Sequence, residues 1–160
     1  MKARDIMTAD PACCTPDDTA RHAASLMQER DCGCIPVVED QVSRRLIGVI
    51  TDRDITLRGT ARGRNADTPV RELMSTDVSC CRPDDDLQDV ERIMAGRKVR
   101  RVPILDENDR CVGIVAQADL AFEAGRLTTE DEVGRIVEQI SEPTDGPRSE
   151  ESIDYRVGPR

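Results

Sequence analysis

The stretch GVITDRDI, residues 48–55, decides how this chain is read. Gly48-Val49-Ile50 is a short apolar run of the kind that forms a buried strand. It stops abruptly at Thr51-Asp52-Arg53-Asp54, where a helix is expected to begin near Asp52. A weaker copy, GIVAQADL, recurs at residues 113–120, with Ala116 in place of the threonine and Asp119 kept.

Working outward, the whole unit repeats. ARDIMTADPACCTPDD (3–18) matches VRELMSTDVSCCRPDD (70–85), and CIPVVED (34–40) matches RVPILDE (101–107), both at an offset of 67 (80 − 13). GVITDRDI and GIVAQADL match at 65 (113 − 48), so the first copy carries two extra residues within QVSRRL. Two copies are too few for a solenoid and predict two lobes packed face to face with pseudo-twofold symmetry.

Each copy reads the same way. A short strand around Cys13-Cys14, or Val78 to Cys81, is closed by a proline. A helix follows, with the stripe Ala20, Ala23, Ala24, Met27 in one copy and Leu87, Val90, Ile93, Met94 in the other. Asp17 and Asp18, and Asp84 to Asp86, stand where a helix N-terminus favours negative charge and are expected to cap it. Two strands come next, Ile35 to Val38 with Leu46 to Ile50, and Val102 to Leu105 with Val112 to Val115. Pro36 and Pro103 cannot donate to a ladder, so that end of each strand should be an edge or face something other than a strand. The expected boundaries are residues 1–58 for the first repeat, 59–68 for a polar linker and 69–124 for the second repeat. A C-terminal helix over 125–140 is to open on a capping box of Thr129 and Glu132 and to carry Val133, Ile136, Val137 and Ile140 on one face. A disordered tail over 141–160 completes the chain.

Composition narrows the function. With 38% apolar and 34% charged residues the chain fits a soluble globular protein. A net charge of −9 argues against a nucleic-acid partner, and one Phe, one Tyr and no Trp leave no stacking platforms. An anionic small molecule needs only a few local cations and remains open. No apolar stretch approaches the roughly 20 residues of a membrane span. The N-terminus MKARDIMTAD has no signal-peptide core, so no membrane and a cytoplasmic location are expected. The seven cysteines are odd in number and form no CxxC, and they read first as small packing residues.

A β-α-β-β-α unit with a proline in its second strand and a third strand ending G-[VI]-[VI]-T-x-x-D resembles the CBS domain. Two in tandem resemble a Bateman module, here over residues 3–124, and IMTADP, VRRVPI and GVITDRDI resemble small stand-alone bacterial CBS pairs. The fold class implied is α+β, as two repeats related by a pseudo-twofold axis. The function implied is a non-enzymatic regulatory module. It binds an adenosine-containing ligand (AMP, ADP, ATP, S-adenosylmethionine, NAD or a cyclic dinucleotide) in the cleft between repeats. Two modules are expected to stack as a disc-shaped homodimer, with output through an effector protein. No cofactor is obligatory; a Mg²⁺ ion is expected to arrive only with the ligand's phosphates, although Asp52 and Asp54 form a D-x-D.

The resemblance carries over to named residues. In the first site Asp54 would accept both ribose hydroxyls, and Thr51 would give a hydroxyl to phosphate beside the free N–H groups of a helix N-terminus. Arg53, Ser75, Val78, Ser79, Arg100, Arg101, Val102 and Pro103 would complete it, with the arginines on phosphate and Val102 against the adenine face. Gly48 lacks a Cβ and could permit close packing. The mirror site would join Asp119 and Ala116 with Thr8, Pro11, Ala12, Gly33, Cys34, Ile35 and Pro36. It lacks both the threonine and the arginines, and is expected to bind an uncharged adenosyl group, bind weakly or stay empty.

An enzyme finds little support. The lone His22 falls off its helix's apolar stripe, and neither GxSxG nor a P-loop is present. The alternatives are a ligand-free scaffold and a metal or redox sensor built on Cys32 and Cys34 or on Cys13 and Cys14.

Overall fold

The computed structural model describes residues 1–127 and 130–141. The expected capping residue Thr129 and the expected tail from residue 142 onward lie outside the described residues. The chain forms two compact units. Among the described residues one, built on the first copy, comprises 10–78 and 107–111; the other, built on the second copy, comprises 1–9, 79–106, 112–127 and 130–141.

In the first-copy unit, helix α2 (Ala20–Glu29) precedes strands β2 (Cys34–Val38) and β3 (Leu46–Thr51). The short helix α3 (Asp52–Asp54) follows, continued by wider and tighter turns as far as Arg62. In the second-copy unit, helix α1 (Ala3–Ile6) and strand β1 (Thr8–Ala9) join α4 (Leu87–Arg97), β4 (Arg101–Leu105), β5 (Cys111–Ala116), α5 (Gln117–Leu127) and α6 (Glu130–Ser141). Among the described residues no helix is long and apolar enough to cross a membrane.

The sheets obey the repeat. β2 and β3 pair antiparallel, Ile35 opposite Ile50, with a register shift after Val37. Cys14 extends this sheet through a parallel bridge to Val37, as Cys81 bridges Ile104 in the other unit. Cys14 uses the Pro36 carbonyl and the Val38 N–H, at 3.0 and 2.8 Å, and so passes over the nitrogen that proline lacks. The first-copy sheet is closed at its other edge by Ser75, whose N–H and C=O both bond Val49 at 2.9 Å. In the second-copy unit β1 does the same, Thr8 opposite Ile114 and Ala9 opposite Gly113.

Each copy therefore contributes its leading segment to the other copy's unit, and the docking is the same twice. Ala3 and Arg4 donate backbone bonds to the carbonyls of Asp85 and Pro83, while Val70 and Arg71 donate to those of Asp18 and Pro16. Arg4 pairs with Asp84 and Arg71 with Asp17. These exposed ion pairs add little energy; the buried Ala3, Val70 and Leu73 do more of the anchoring. Gly48 is required here, because a Cβ on it would stand 2.7 Å from the Ser75 carbonyl oxygen. Gly113 occupies the equivalent place against the Met7 side chain.

Two cores result. Cys14, Ala20, Ala23, Met27, Ile35, Val37, Ile50, Val70 and Leu73 pack in the first-copy unit. Cys81, Val90, Ile93, Met94, Val102, Ile104, Val115, Leu120 and Ile140 pack in the second. Ala24, expected on the apolar stripe, is exposed, and half-buried Leu26 packs against the core beside Met27. Asp18 and Asp85 also depart from expectation. Each accepts the backbone N–H three residues earlier, from Thr15 and Arg82 at 2.7 Å, and braces the turn after the short strand. The cap of α2 is Thr19, whose hydroxyl oxygen accepts the His22 N–H at 3.1 Å.

Candidate functional site

Alternation along β3 buries Leu46, Gly48 and Ile50 and leaves Thr51 on the half-buried face at the strand's end. Thr51 and Asp54 then lock together. The Thr51 hydroxyl donates to Asp54 Oδ2 at 2.7 Å, the Thr51 N–H donates to the same oxygen at 3.0 Å, and the Asp54 N–H returns to Thr51 Oγ1 at 3.1 Å. This reciprocal cap fixes the carboxylate, with Asp54's side chain only 14% exposed. Oδ1 lies 3.6 Å from Nε of Arg58, whose Nη1 also donates to the carbonyls of Leu73 and Met74 at 2.8 Å each. A carboxylate has about four lone-pair sites, and two remain on Oδ1. Asp54 thus keeps the capacity to accept a diol from a fixed position.

The structure corrects two expected roles. The Thr51 hydroxyl directs its proton to Asp54, so it is not a spare donor for phosphate. Nor is the helix N-terminus a free anion seat. The Asp52 N–H donates to the Gly33 carbonyl, Arg53 N–H to Asp52 Oδ1, Asp54 N–H to Thr51 and Ile55 N–H to the Asp52 carbonyl. Gly33, expected at the mirror site, serves this contact, since a Cβ on it would come within 2.8 Å of Asp52 Oδ2.

Val102 and Ile35, expected at ligand faces, are 0% and 1% exposed and are core residues of their units. Neither side chain has a face left for an adenine ring, because both faces of β2 and nearly all of β4 are buried. Pro36 and Pro103 are buried too, their carbonyls accepting the N–H groups of Cys14 and Cys81 at 3.0 Å. Ser79 is 8% exposed, and its hydroxyl accepts from Arg97 Nε at 3.0 Å. Ser75 and Val78 are half-buried, and Arg53 is exposed.

Of the expected cations, Arg100 is exposed and Arg101 half-buried. Among the described residues no carboxylate pairs with either guanidinium. The Arg100 carbonyl accepts the Gln117 N–H at 2.9 Å, the counterpart of the Gly33–Asp52 bond. In the second copy Asp119 Oδ2 accepts the Ala116 N–H at 2.7 Å, and the hydroxyl bond is missing because Ala116 has none to give. Thr8 is exposed on β1, Ala12 is half-buried and Cys34 buried. Pro11 is buried, with its carbonyl accepting from Arg44 Nη2 at 2.8 Å.

Three arginines were missed at the level of sequence: Arg58 on Asp54, Arg97 on Ser79 and Arg44 on Pro11. Arg58 lies four residues after Asp54, so helical pair spacing was a usable signal. Arg44 sits in a loop at φ +53, where no pattern points to it.

Both copies match the CBS domain family, at residues 3–58 and 70–125. The chain belongs to the CBS domain family. It is a tandem CBS pair, a regulatory rather than a catalytic type of module. The CBS domain-containing protein YhcV of Bacillus subtilis is 48% identical over 118 residues, 74% of this chain and 81% of that protein. Hypoxic response protein 1 of Mycobacterium tuberculosis is 36% identical over 142 residues, 88% of this chain and 94% of that one. A crystal structure of Hypoxic Response Protein I with two coordinated zinc ions superposes with a TM-score of 0.69, at 37% identity, over 76% of this chain and 98% of that chain. The CBS pair of protein MJ0100, in complex with 5′-methylthioadenosine and S-adenosyl-L-methionine, shares the fold with a TM-score of 0.72 at 23% identity, covering 80% of this chain and 98% of that one. Among the described residues no group of three or more His, Cys, Asp or Glu side chains is placed to hold a metal ion.

Proposed function

We propose that the protein is a sensor module that binds an adenosine-containing ligand, with Asp54 as the acceptor for the ribose hydroxyls. The observation that carries this reading is the Thr51–Asp54 lock, which orients a largely buried carboxylate and leaves Oδ1 as acceptor. Arg100 and Arg101 are the phosphate partners, since no carboxylate among the described residues neutralises them. Asp119 is a weaker ribose acceptor, lacking the hydroxyl that would orient it. The adenosine compounds in the MJ0100 complex support the ligand class. The module acts as a cytoplasmic homodimer, passes its state to an effector protein and needs no resident cofactor.

Thermal unfolding with a panel of AMP, ADP, ATP, S-adenosylmethionine, NAD and cyclic dinucleotides tests this. At a ligand concentration of 100 Kd, binding adds about 2.7 kcal/mol, a rise in Tm of roughly 5–10 °C. Asp54→Ala should abolish the shift, and Arg101→Ala should weaken charged ligands more than uncharged ones. No shift with any member of the panel would leave the scaffold reading; a shift that survives Asp54→Ala would remove Asp54 from the site.

A further inference from the structure

Cys13 and Cys111 are far apart in sequence and meet within the first-copy unit, where the Cys111 thiol hydrogen-bonds the Cys13 sulfur. Arg44 binds both. Its carbonyl accepts the Cys111 N–H at 2.9 Å, and its guanidinium Nη2 lies 3.4 Å from Cys13 Sγ. The guanidinium is itself fixed, by the Pro11 carbonyl at 2.8 Å and by Asp10 at 3.0 Å. We propose that Cys13 and Cys111 form a redox-active dithiol, in which Cys13 is the sulfur attacked by hydroperoxides and Cys111 resolves it to a disulfide.

The chemistry of the neighbours selects Cys13. The hydrogen bond from Cys111 and then the charge of Arg44 favour its thiolate, outweighing burial and nearby Asp10, so that its pKa is lowered. Cys14 and Cys81 are instead pushed up to about 12, chiefly by burial and then by neighbouring aspartates. Cys13 is 6% exposed, so only a small oxidant such as a hydroperoxide is a candidate to reach it. The position equivalent to Cys111 in the first copy is Leu46 (111 − 65), so the dithiol belongs to one copy alone.

The reaction balances in two steps. The Cys13 thiolate attacks one peroxide oxygen, an S–O bond forms and the O–O bond breaks. Cys13 becomes a sulfenic acid and the departing oxygen leaves as hydroxide, to be protonated to water. The Cys111 sulfur, giving up its proton, then attacks Cys13. The S–S bond forms, the S–O bond breaks, and hydroxide leaves with that proton as a second water. Two thiols and one hydroperoxide give one disulfide and two waters, or water and an alcohol from an organic hydroperoxide.

The full chain treated with hydrogen peroxide, quenched by alkylation and mapped by peptide mass spectrometry tests the pair. The expected result is a Cys13–Cys111 crosslinked peptide, with Cys14 and Cys81 alkylated. Cys111→Ala should stop at a Cys13 sulfenic acid that dimedone captures, and Arg44→Gln should slow the reaction several-fold. Wild-type mapping decides even if a variant fails to fold. Cys13 recovered fully alkylated from peroxide-treated folded protein, or joined to any cysteine other than Cys111, overturns the proposal.

Discussion

Gly48→Ala should destabilise the protein out of proportion to one methyl group. The new Cβ would lie 2.7 Å from the Ser75 carbonyl oxygen, whereas carbon–oxygen contacts settle at about 3.3 Å. Ser75 therefore has to retreat by roughly 0.6 Å, which stretches the Val49 N–H···O bond from 2.9 Å to about 3.5 Å, past the usual limit of about 3.2 Å. Overpacking of this kind costs about 1–3 kcal/mol, and weakening two ladder bonds adds about 1 kcal/mol or more. The total, about 2–4 kcal/mol, lowers Tm by roughly 5–15 °C in a chain of this size. Far-ultraviolet circular dichroism during thermal and urea unfolding measures it. Two internal comparisons sharpen the reasoning. Gly113→Ala meets the flexible Met7 side chain instead of backbone and should cost less. Gly96→Ala, on an exposed position of α4 with nothing within 4 Å of its Cβ, should stabilise by about 0.5–1 kcal/mol through helix propensity. A Gly48→Ala protein that melts with wild type, while Gly96→Ala shifts upward, would refute the claim that this glycine exists for the exchanged segment.

Two further outcomes follow from the same contacts. Arg58→Met removes the charged donor to the Leu73 and Met74 carbonyls and should cost about 1–3 kcal/mol in urea unfolding; unchanged stability would show that the exchanged segment does not depend on it. At alkaline pH the buried thiols of Cys14 and Cys81 stay protonated up to about 12, against 9.0 for a free thiol. The unfolded chain loses those protons first, so stability should be fully present below pH 9 and fall between about 9 and 12. Cys14→Ala combined with Cys81→Ala should flatten that alkaline limb, and an equally steep limb in the double variant would contradict the assignment.

The periodic patterns made the elements legible. The four strands β2, β3, β4 and β5 agree with the two copies to within a residue at each end, because buried faces impose a period of two whatever the partner is. The expected short strands at Cys13-Cys14 and Val78 to Cys81 are instead single bridges, and the helix expected over 125–140 begins at Glu130, after α5 has run to Leu127. Motif reading singled out Thr51 and Asp54, and the structure bonds the two to each other. That mutual bond was not legible in the motif. The free N–H groups expected at Asp52 to Asp54 are taken by Gly33, Asp52 and Thr51, one of these partners coming from the preceding strand region. Val102 and Ile35 are buried for a related reason: a motif marks a position on a strand, whereas burial on both faces depends on which elements cover it.

What one sequence determined by itself is local and repeated: two copies at fixed offsets, their strands and helices, and the family to which they belong. What only the tertiary structure decided is which copy's leading segment completes which sheet, which carbonyls Arg58 and Arg44 hold, and that Cys13 meets Cys111. Apolar alternation states that a strand needs a neighbour without naming it, and two near-identical segments offer near-identical edges. Only close contacts between residues distant in sequence, such as the Ser75 oxygen over Gly48, distinguish one pairing from the other.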